Sequence, residues 1–233
     1  MRARQPFAQK ILLPLVVILL MSVGEDVFDK GLNFYKDKRF LLAIGAFKNA
    51  AEIGNKDPRL YLLLGNSYVG IDDYDKAIES YQKVLQSGLP LAYYGVYYFN
   101  LGYTYGIKKL YNQAIATFDQ ALAYDTNLTH AYWYKGMLYY KLHDRTNTIR
   151  EWETYLTVNP TGPQSDNIRR ALELLRDPNF SFPANLVQNP MDRDTNKGPT
   201  LTEPLIDISG SLGNYNPEDK EKAEDTSLEE IEK

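Results

Sequence analysis

The chain has 233 residues, of which 44% are hydrophobic and 24% are charged, and its formal net charge is −4. This length and apolar content are enough for one sizeable domain with its own core. The chain contains no cysteine, which excludes disulfides, thiolate metal sites and thiol catalysis.

The first 24 residues show the order of features that is typical of a secretory signal peptide. Three basic residues precede the apolar run Ile11–Met21, and the small residues Ser22 and Gly24 follow it. The run is shorter than the about 20 apolar residues that span a bilayer. We therefore predict a cleaved signal at residues 1–24 and a mature chain in the bacterial periplasm. The alternative is an uncleaved segment that anchors the chain to the inner membrane.

The next part of the chain is organised by a recurring glycine. Gly31, Gly65, Gly102 and Gly136 are separated by 34, 37 and 34 residues. Each lies in a similar context, which reads VFDKGLNF, YLLLGNSY, YFNLGYTY and YWYKGMLY in turn. An internal period of this length predicts a repeat architecture.

This frame resembles the tetratricopeptide repeat, whose pattern is W-x2-L-G-x2-Y followed by A-x3-F and P. The tryptophan place is taken by Val27, Tyr61, Tyr98 and Tyr132. The small residue of the second half is Ala43, Ala77, Ala114 and Thr148, and the aromatic residue after it is Phe47, Tyr81, Phe118 and Trp152. The resemblance implies an all-α fold, a right-handed superhelical array of about four helix-turn-helix units.

We place the four units at residues 25–57, 58–94, 95–128 and 129–162, with a three-residue insertion in the second unit. A capping helix is predicted at residues 163–177, where apolar residues recur on one face. Residues 178–233 are acidic and contain several prolines without helical periodicity. We predict that this tail is largely disordered.

The first helix of the third unit illustrates how the faces are assigned. Tyr94, Tyr98, Leu101 and Tyr105 recur at i, i+4, i+7 and i+11. This spacing predicts one stripe of a helix, which we assign to the buried stacking face. The glycine beside the stripe has no side chain, so we expect a neighbouring helix to approach it closely.

The sequence has few residues that could carry catalysis. Its two histidines, His130 and His143, have no standard metal-ligand spacing, and no hydrolase, metalloprotease or phosphate-loop pattern occurs. We therefore predict no enzymatic activity, no cofactor and no metal. The repeats are close to neutral and the tail is acidic, so nucleic acid is not an expected partner.

The resemblance implies that a concave groove, formed by the first helices, binds a protein or peptide. The candidate groove residues are Phe28, Leu32, Tyr35, Leu62, Asn66, Val69, Phe99, Tyr103, Trp133, Met137 and Tyr140. Two more aromatic residues, Tyr93 and Tyr97, lie at the insertion, and we expect them to be displayed on the surface. Aromatic side chains suit such contacts because they lose little rotamer freedom on binding.

These observations favour an exported, non-enzymatic scaffold or adaptor within a bacterial envelope complex. One alternative is a structural or self-assembling component of an envelope apparatus for transport, secretion or motility. Such a component could be a homo-oligomer. A weaker alternative is a glycan-binding envelope protein. A further possibility is intramolecular, with the tail segment FSFPANLV or LTEPLIDI docked in the chain's own groove.

Overall fold

The computed structural model describes residues 27–182. The predicted signal and all of the predicted tail after residue 182 lie outside these residues. The described residues contain helices and turns and no strand. Helix α1 covers residues 27–36, and it is followed by α2 (Phe40–Glu52), α3 (Leu60–Gly70), α4 (Tyr74–Val84), α5 (Tyr94–Ile107), α6 (Tyr111–Tyr124), α7 (Thr129–Lys141), α8 (Arg145–Val158) and α9 (Ser165–Arg176).

The helices pack as consecutive hairpins that stack on one another. Helix α3 packs on α4, α5 on α6 and α7 on α8, and each of these pairs also contacts the pair that follows it. This arrangement is the all-α array that the sequence predicts. None of the helices within residues 27–182 is both long enough and apolar enough to cross a bilayer.

Each hairpin turns in the same way. Among residues 27–182, four residues that are not glycine have a positive φ between 57° and 62°: Lys38, Asp72, Lys109 and His143. Each lies seven residues after a repeat glycine. The residue after each one donates its backbone N–H to the carbonyl five residues earlier, as in Asp73 to Tyr68 and Leu110 to Tyr105. This is a Schellman ending of the first helix, so one turn geometry recurs in all four units.

The repeat glycines allow the two helices of a unit to come into contact. A Cβ atom on Gly65 would lie 2.4 Å from the Tyr81 ring, and one on Gly136 would lie 2.2 Å from Trp152. The corresponding distances are 2.7 Å from Gly31 to Phe47 and 3.1 Å from Gly102 to Phe118. The prediction of close helix approach at the glycine is therefore confirmed, and the partner is the aromatic residue of the same unit.

The first and second helices differ in how much of their surface is buried. Helix α4 buries one face, through Ala77, Ser80, Tyr81 and Val84. Every residue of α3 is buried except Tyr61 and Gly70, which are half-buried. The reason is that α3 contacts α2, α4 and α5. The first helices therefore form the inner layer of the array.

The C-terminal end of the array is covered by α9. This helix packs on α8 and buries Ile168, Leu172 and Leu175, whereas its other face is exposed. The chain continues past α9 without losing contact with the array, because Phe180 and Phe182 are half-buried against its core.

Candidate functional site

Most of the predicted groove residues are buried. The side chains of Phe28, Tyr35, Leu62, Asn66, Val69, Phe99, Tyr103 and Trp133 are all less than a tenth exposed. The remaining three, Leu32, Met137 and Tyr140, are half-buried. The prediction that the buried eight line an accessible groove is therefore wrong, because neighbouring helices cover them.

Phe99 and Tyr103 show what covers these rings. The ring of Phe99 lies 5.5 Å from the ring of Phe118 and 5.7 Å from that of Tyr134. Tyr103 also contacts Tyr134, with the ring centroids 5.5 Å apart. These contacts join α5 to α6 and α7, so the two side chains hold successive units together.

Asn66 has a similar structural role, through hydrogen bonds. Its Nδ2 donates to the Tyr35 hydroxyl at 3.3 Å, and its Oδ1 accepts from the Tyr81 hydroxyl at 2.7 Å and from Asn100 Nδ2 at 3.1 Å. Asn66 thus joins side chains of three successive units. Because it is 1% exposed, losing these partners would leave a buried polar group unsatisfied.

The two insertion tyrosines behave differently from each other. Leu91–Tyr93 form a single 3-10 turn, and α5 begins at Tyr94. With this start, the Tyr97 ring meets the Tyr81 ring of α4 at 6.4 Å and is 2% exposed. Burial also raises the pKa of Tyr97 far above its usual value. The prediction that Tyr97 is displayed is wrong, whereas Tyr93 is half-buried.

The rings that do keep exposed surface lie on the stripe that we had assigned to the buried stacking face. Tyr94, Tyr98 and Tyr105 are half-buried, and among the four residues of that stripe only Leu101 is fully buried. The stripe assignment is therefore corrected: three of its four residues contribute to the surface.

Three of the exposed rings form one group, which we call the tyrosine cluster: Tyr94, Tyr98 and Tyr124. Tyr124 ends α6 and is 49% exposed. Its ring stacks on Tyr98, with centroids 5.6 Å apart and planes inclined by 14°, and meets Tyr94 edge-on at 5.2 Å. The buried Tyr97 supports the cluster, because its ring lies 4.6 Å from that of Tyr98. The signal in the sequence was Tyr124, a large aromatic residue in the last turn of a helix whose other exposed residues are small or polar.

The side chains of the tyrosine cluster carry no formal charge. Burial raises the pKa of Tyr98, and the neighbouring hydroxyls of Tyr124 and Tyr94 raise it further. The cluster therefore presents apolar ring surface together with hydroxyl groups that can donate hydrogen bonds.

A second unusual group lies inside the fourth unit. Lys135, at the position that Leu64 and Leu101 occupy in earlier units, is only 8% exposed at its side chain. Its Nζ lies 3.0 Å from Glu151 Oε2 and 2.6 Å from Asp119 Oδ1. Burial disfavours its charge, but the hydrogen bonds to Asp119 and Glu151 outweigh this effect, and the pKa of Lys135 is raised.

This ionic cluster has the features of a structural group. Glu151 is paired on a second side by Arg150, at 2.8 Å, so each buried charge has an opposite partner. Within residues 27–182, no three histidine or acidic side chains converge in a way that could hold a metal ion. This cluster could not be recognised from the sequence pattern, because its members lie in three different helices.

Comparisons with known proteins agree with this geometry. The model of the tetratricopeptide repeat family matches residues 58–87 and 96–128. Both matched segments are helical hairpins, α3 with α4 and α5 with α6, as expected for that repeat. They contain the second and third glycines of the frame, and the fourth unit repeats their turn and their glycine contact.

Solved structures with the same fold include bacterial and other repeat proteins. A crystal structure of MamA protein is 22% identical with a TM-score of 0.58, over 65% of this chain and 80% of that chain. A tetratricopeptide repeat protein from Parabacteroides merdae ATCC 43184 is 19% identical, with a TM-score of 0.57 over 66% of this chain and 60% of its own. The Cut9-Hcn1 hetero-tetramer of APC/C matches with 20% identity and a TM-score of 0.57, over 66% of this chain and 30% of that chain.

At these identities the solved structures establish the fold alone. No curated protein matches the sequence. The described residues thus have the helical repeat fold of these proteins.

Proposed function

We propose that the chain is an exported scaffold that binds a protein or peptide partner within a bacterial envelope complex. Tetratricopeptide arrays stack helices into extended surfaces of the kind that bind other proteins. Export is proposed from the basic and apolar order of the first 24 residues. The observation that carries the proposal of partner binding is the tyrosine cluster.

Several properties of the tyrosine cluster suit the recognition of a protein. A tyrosine offers a large apolar ring with two side-chain torsions, so it loses little conformational entropy when a partner covers it. In this cluster the rings already restrain one another, through the stack of Tyr98 on Tyr124 and the edge contact of Tyr94. Tyrosine is among the residue types that are enriched where binding energy is concentrated in protein interfaces.

The expected partner is a peptide or protein surface with exposed aliphatic or aromatic side chains. The cluster carries no formal charge, so we do not expect binding to weaken steeply with salt. The groove residues of the sequence prediction contribute indirectly, since Phe99 and Tyr103 fix α5 against α7 and thereby fix the position of Tyr98.

The proposal is tested by crosslinking the tagged protein in the periplasm, recovering it from the periplasmic fraction, and comparing the wild type with two variants. Tyr124→Ala removes the most exposed ring of the cluster, and Leu174→Ala removes an apolar side chain that is 64% exposed on α9. We expect a partner that crosslinks to the wild type and to Leu174→Ala and is reduced about tenfold with Tyr124→Ala. Phe99→Ala is unsuitable, because Phe99 is 1% exposed and its loss would destabilise the fold.

Equal crosslinking by all three proteins would contradict the role of the tyrosine cluster. The same samples test export, since a mature chain that begins at Glu25 is expected in the periplasm. A chain that still begins at Met1 in the membrane fraction would support the uncleaved anchor instead. Light scattering on the purified protein shows whether the crosslinked partner is a second copy.

A further inference from the structure

The segment that follows α9 turns back onto the array and packs there. We call residues 177–182 the aromatic strap. The ring of Phe182 stacks on His143, with centroids 4.9 Å apart and planes inclined by 11°, and lies 5.2 Å from the ring of Tyr140. Phe180 meets Phe182 edge-on at 5.2 Å. Both phenylalanines are half-buried by these contacts.

Arg145, the first residue of α8, holds the start of the strap. Its guanidinium donates to the Asp177 carbonyl at 2.9 Å and lies 6.0 Å from the centre of the Phe180 ring. The strap therefore makes a polar contact at its first residue and aromatic contacts at Phe180 and Phe182. The spacing of the two rings is aromatic-x-aromatic, which puts one residue between them.

The surface under the strap belongs to the C-terminal end of the first-helix layer. Tyr140 is the last of the predicted groove residues, and its ring stacks on Trp152 at 6.1 Å. His143 is the positive-φ residue of the same turn. The strap thus covers the part of the fourth unit that corresponds to the end of the predicted groove.

We propose that residues 140–145 form a binding site for an aromatic-x-aromatic segment, and that the chain's own Phe180 and Phe182 occupy it as a releasable intramolecular ligand. The site presents the His143 ring for stacking, the Tyr140 ring for an edge contact and the Arg145 guanidinium for a carbonyl. The strap is connected to α9, so its effective concentration at the site is high, of the order of millimolar for a short linker. A partner segment with the same spacing has to compete with it.

The strap can leave the site without unfolding the array because it makes few contacts with it. Besides its ring contacts, the strap accepts one side-chain hydrogen bond from the array within residues 27–182, which Arg145 donates. Segments with few buried contacts open at a lower free energy than the whole fold. The site lies in the fourth unit, so it does not depend on the tyrosine cluster of the third unit.

The proposal is tested with the full chain and a labelled peptide of the sequence DPNFSFPANLV, which reproduces residues 177–187. The Phe180→Ala/Phe182→Ala variant empties the site without changing its walls. Fluorescence anisotropy should show saturable binding of the peptide to this variant and about tenfold weaker apparent binding to the wild type, because the strap leaves only a small fraction of the sites open. A peptide with the sequence DPNASAPANLV should bind neither protein.

Two controls make the result decisive. Adding His143→Asn to the double variant should weaken peptide binding by about tenfold, since it removes the stacking partner of the second ring while asparagine tolerates the positive φ of this turn. Tyr124→Ala in the same background should leave peptide affinity unchanged, so this experiment can fail or succeed independently of the proposed function.

Three results would overturn the proposal. Equal affinity of the peptide for the wild type and the double variant, or no saturable binding to the double variant, would show that residues 140–145 do not form such a site. Circular dichroism melts accompany the titration. Loss of the cooperative helical transition in the double variant would also overturn the proposal, because an element that cannot leave without unfolding the array is not a releasable ligand.

Discussion

In the third unit Leu101 precedes the repeat glycine, whereas in the fourth unit the same place is taken by Lys135. Both units nevertheless have the same turn, with φ 62° at Lys109 and 58° at His143. In both, the glycine faces the aromatic residue of the second helix. The frame therefore depends on the glycine contact and the turn, and it tolerates a charged side chain at a core position.

The contacts of Lys135 explain how the fourth unit accommodates this charge. Lys135 lies between Asp119 of α6 and Glu151 of α8, which are sixteen residues before and after it in the sequence. Residues sixteen positions apart meet here because the stacking of successive units brings α6, α7 and α8 together around Lys135. A buried charge is retained when opposite charges and hydrogen bonds compensate its lost hydration.

The largest expected effect comes from breaking this compensation. Glu151→Ala leaves Lys135 buried with only the more exposed Asp119 as a partner. We expect the free energy of unfolding to fall by about 3 kcal/mol, as when one member of a buried ion pair is removed. Lys135→Leu/Glu151→Leu, which restores the leucine of the third unit, should be close to the wild type in urea unfolding. A double variant as unstable as Glu151→Ala would show that the pair stabilises through its charges.

The pH dependence of stability checks the same pair. The folded pKa of Lys135 is raised, and a raised pKa means that the contribution is fully present below the unfolded pKa, about 10.4. It is lost as pH rises through the folded pKa. Tyrosines also titrate in this range, but they are common to both proteins, so the stability difference between wild type and double variant isolates Lys135. Above about pH 10.5 the wild type should therefore lose stability relative to the double variant.

The glycine contact differs in tightness between the two units, and this is the next largest effect. A Cβ on Gly136 would lie 2.2 Å from the Trp152 ring, whereas a Cβ on Gly102 would lie 3.1 Å from Phe118. Overpacking of a core costs about 3 kcal/mol at its upper range, and alanine gains about 1 kcal/mol over glycine in helix propensity. We therefore expect Gly136→Ala to destabilise by about 2 kcal/mol and Gly102→Ala to be nearly neutral. Chemical denaturation of both variants measures the difference, and equal losses would mean that Trp152 moves aside freely.

The same physics explains which parts of the structure could be predicted from the sequence. Helices α4 and α9 each bury one face and expose the other, so their periodicity shows their orientation. The glycine frame likewise predicted the units, because a missing side chain has a direct steric consequence. The array and its capping helix were therefore predictable.

The exposed face of α5 could not be predicted in this way. This helix contacts α3, α4, α6 and α7, and apolar residues occur on almost every side of it. Tyr97 and Tyr98 are adjacent in sequence, but the first is 2% exposed and the second is half-buried. Periodicity finds the stripes of such a helix without telling which stripe meets a neighbour, and so the buried and displayed tyrosines were interchanged.

The smallest expected effect concerns the start of the second helix in the two units. Asp144 caps α8, where its Oδ1 accepts from the Asn147 N–H at 3.0 Å, but the corresponding residue of the third unit is Leu110, which provides no side-chain cap for α6. Leu110 is 40% exposed, so its replacement loses little apolar burial.

Leu110→Asp should therefore stabilise the chain by about 1 kcal/mol, and Asp144→Ala should destabilise it by a similar amount, since an N-cap side chain satisfies a free backbone N–H of the first turn. Thermal melts of the two single variants test this. The Leu110 backbone already has φ −84° and ψ 60°, close to the −90° and 86° of Asp144, so the new carboxylate needs no change in the turn. A Leu110→Asp variant that melts at or below the wild type would mean that the lost leucine contacts outweigh the cap, and that the third unit depends on its apolar surface where the fourth depends on polar pairing.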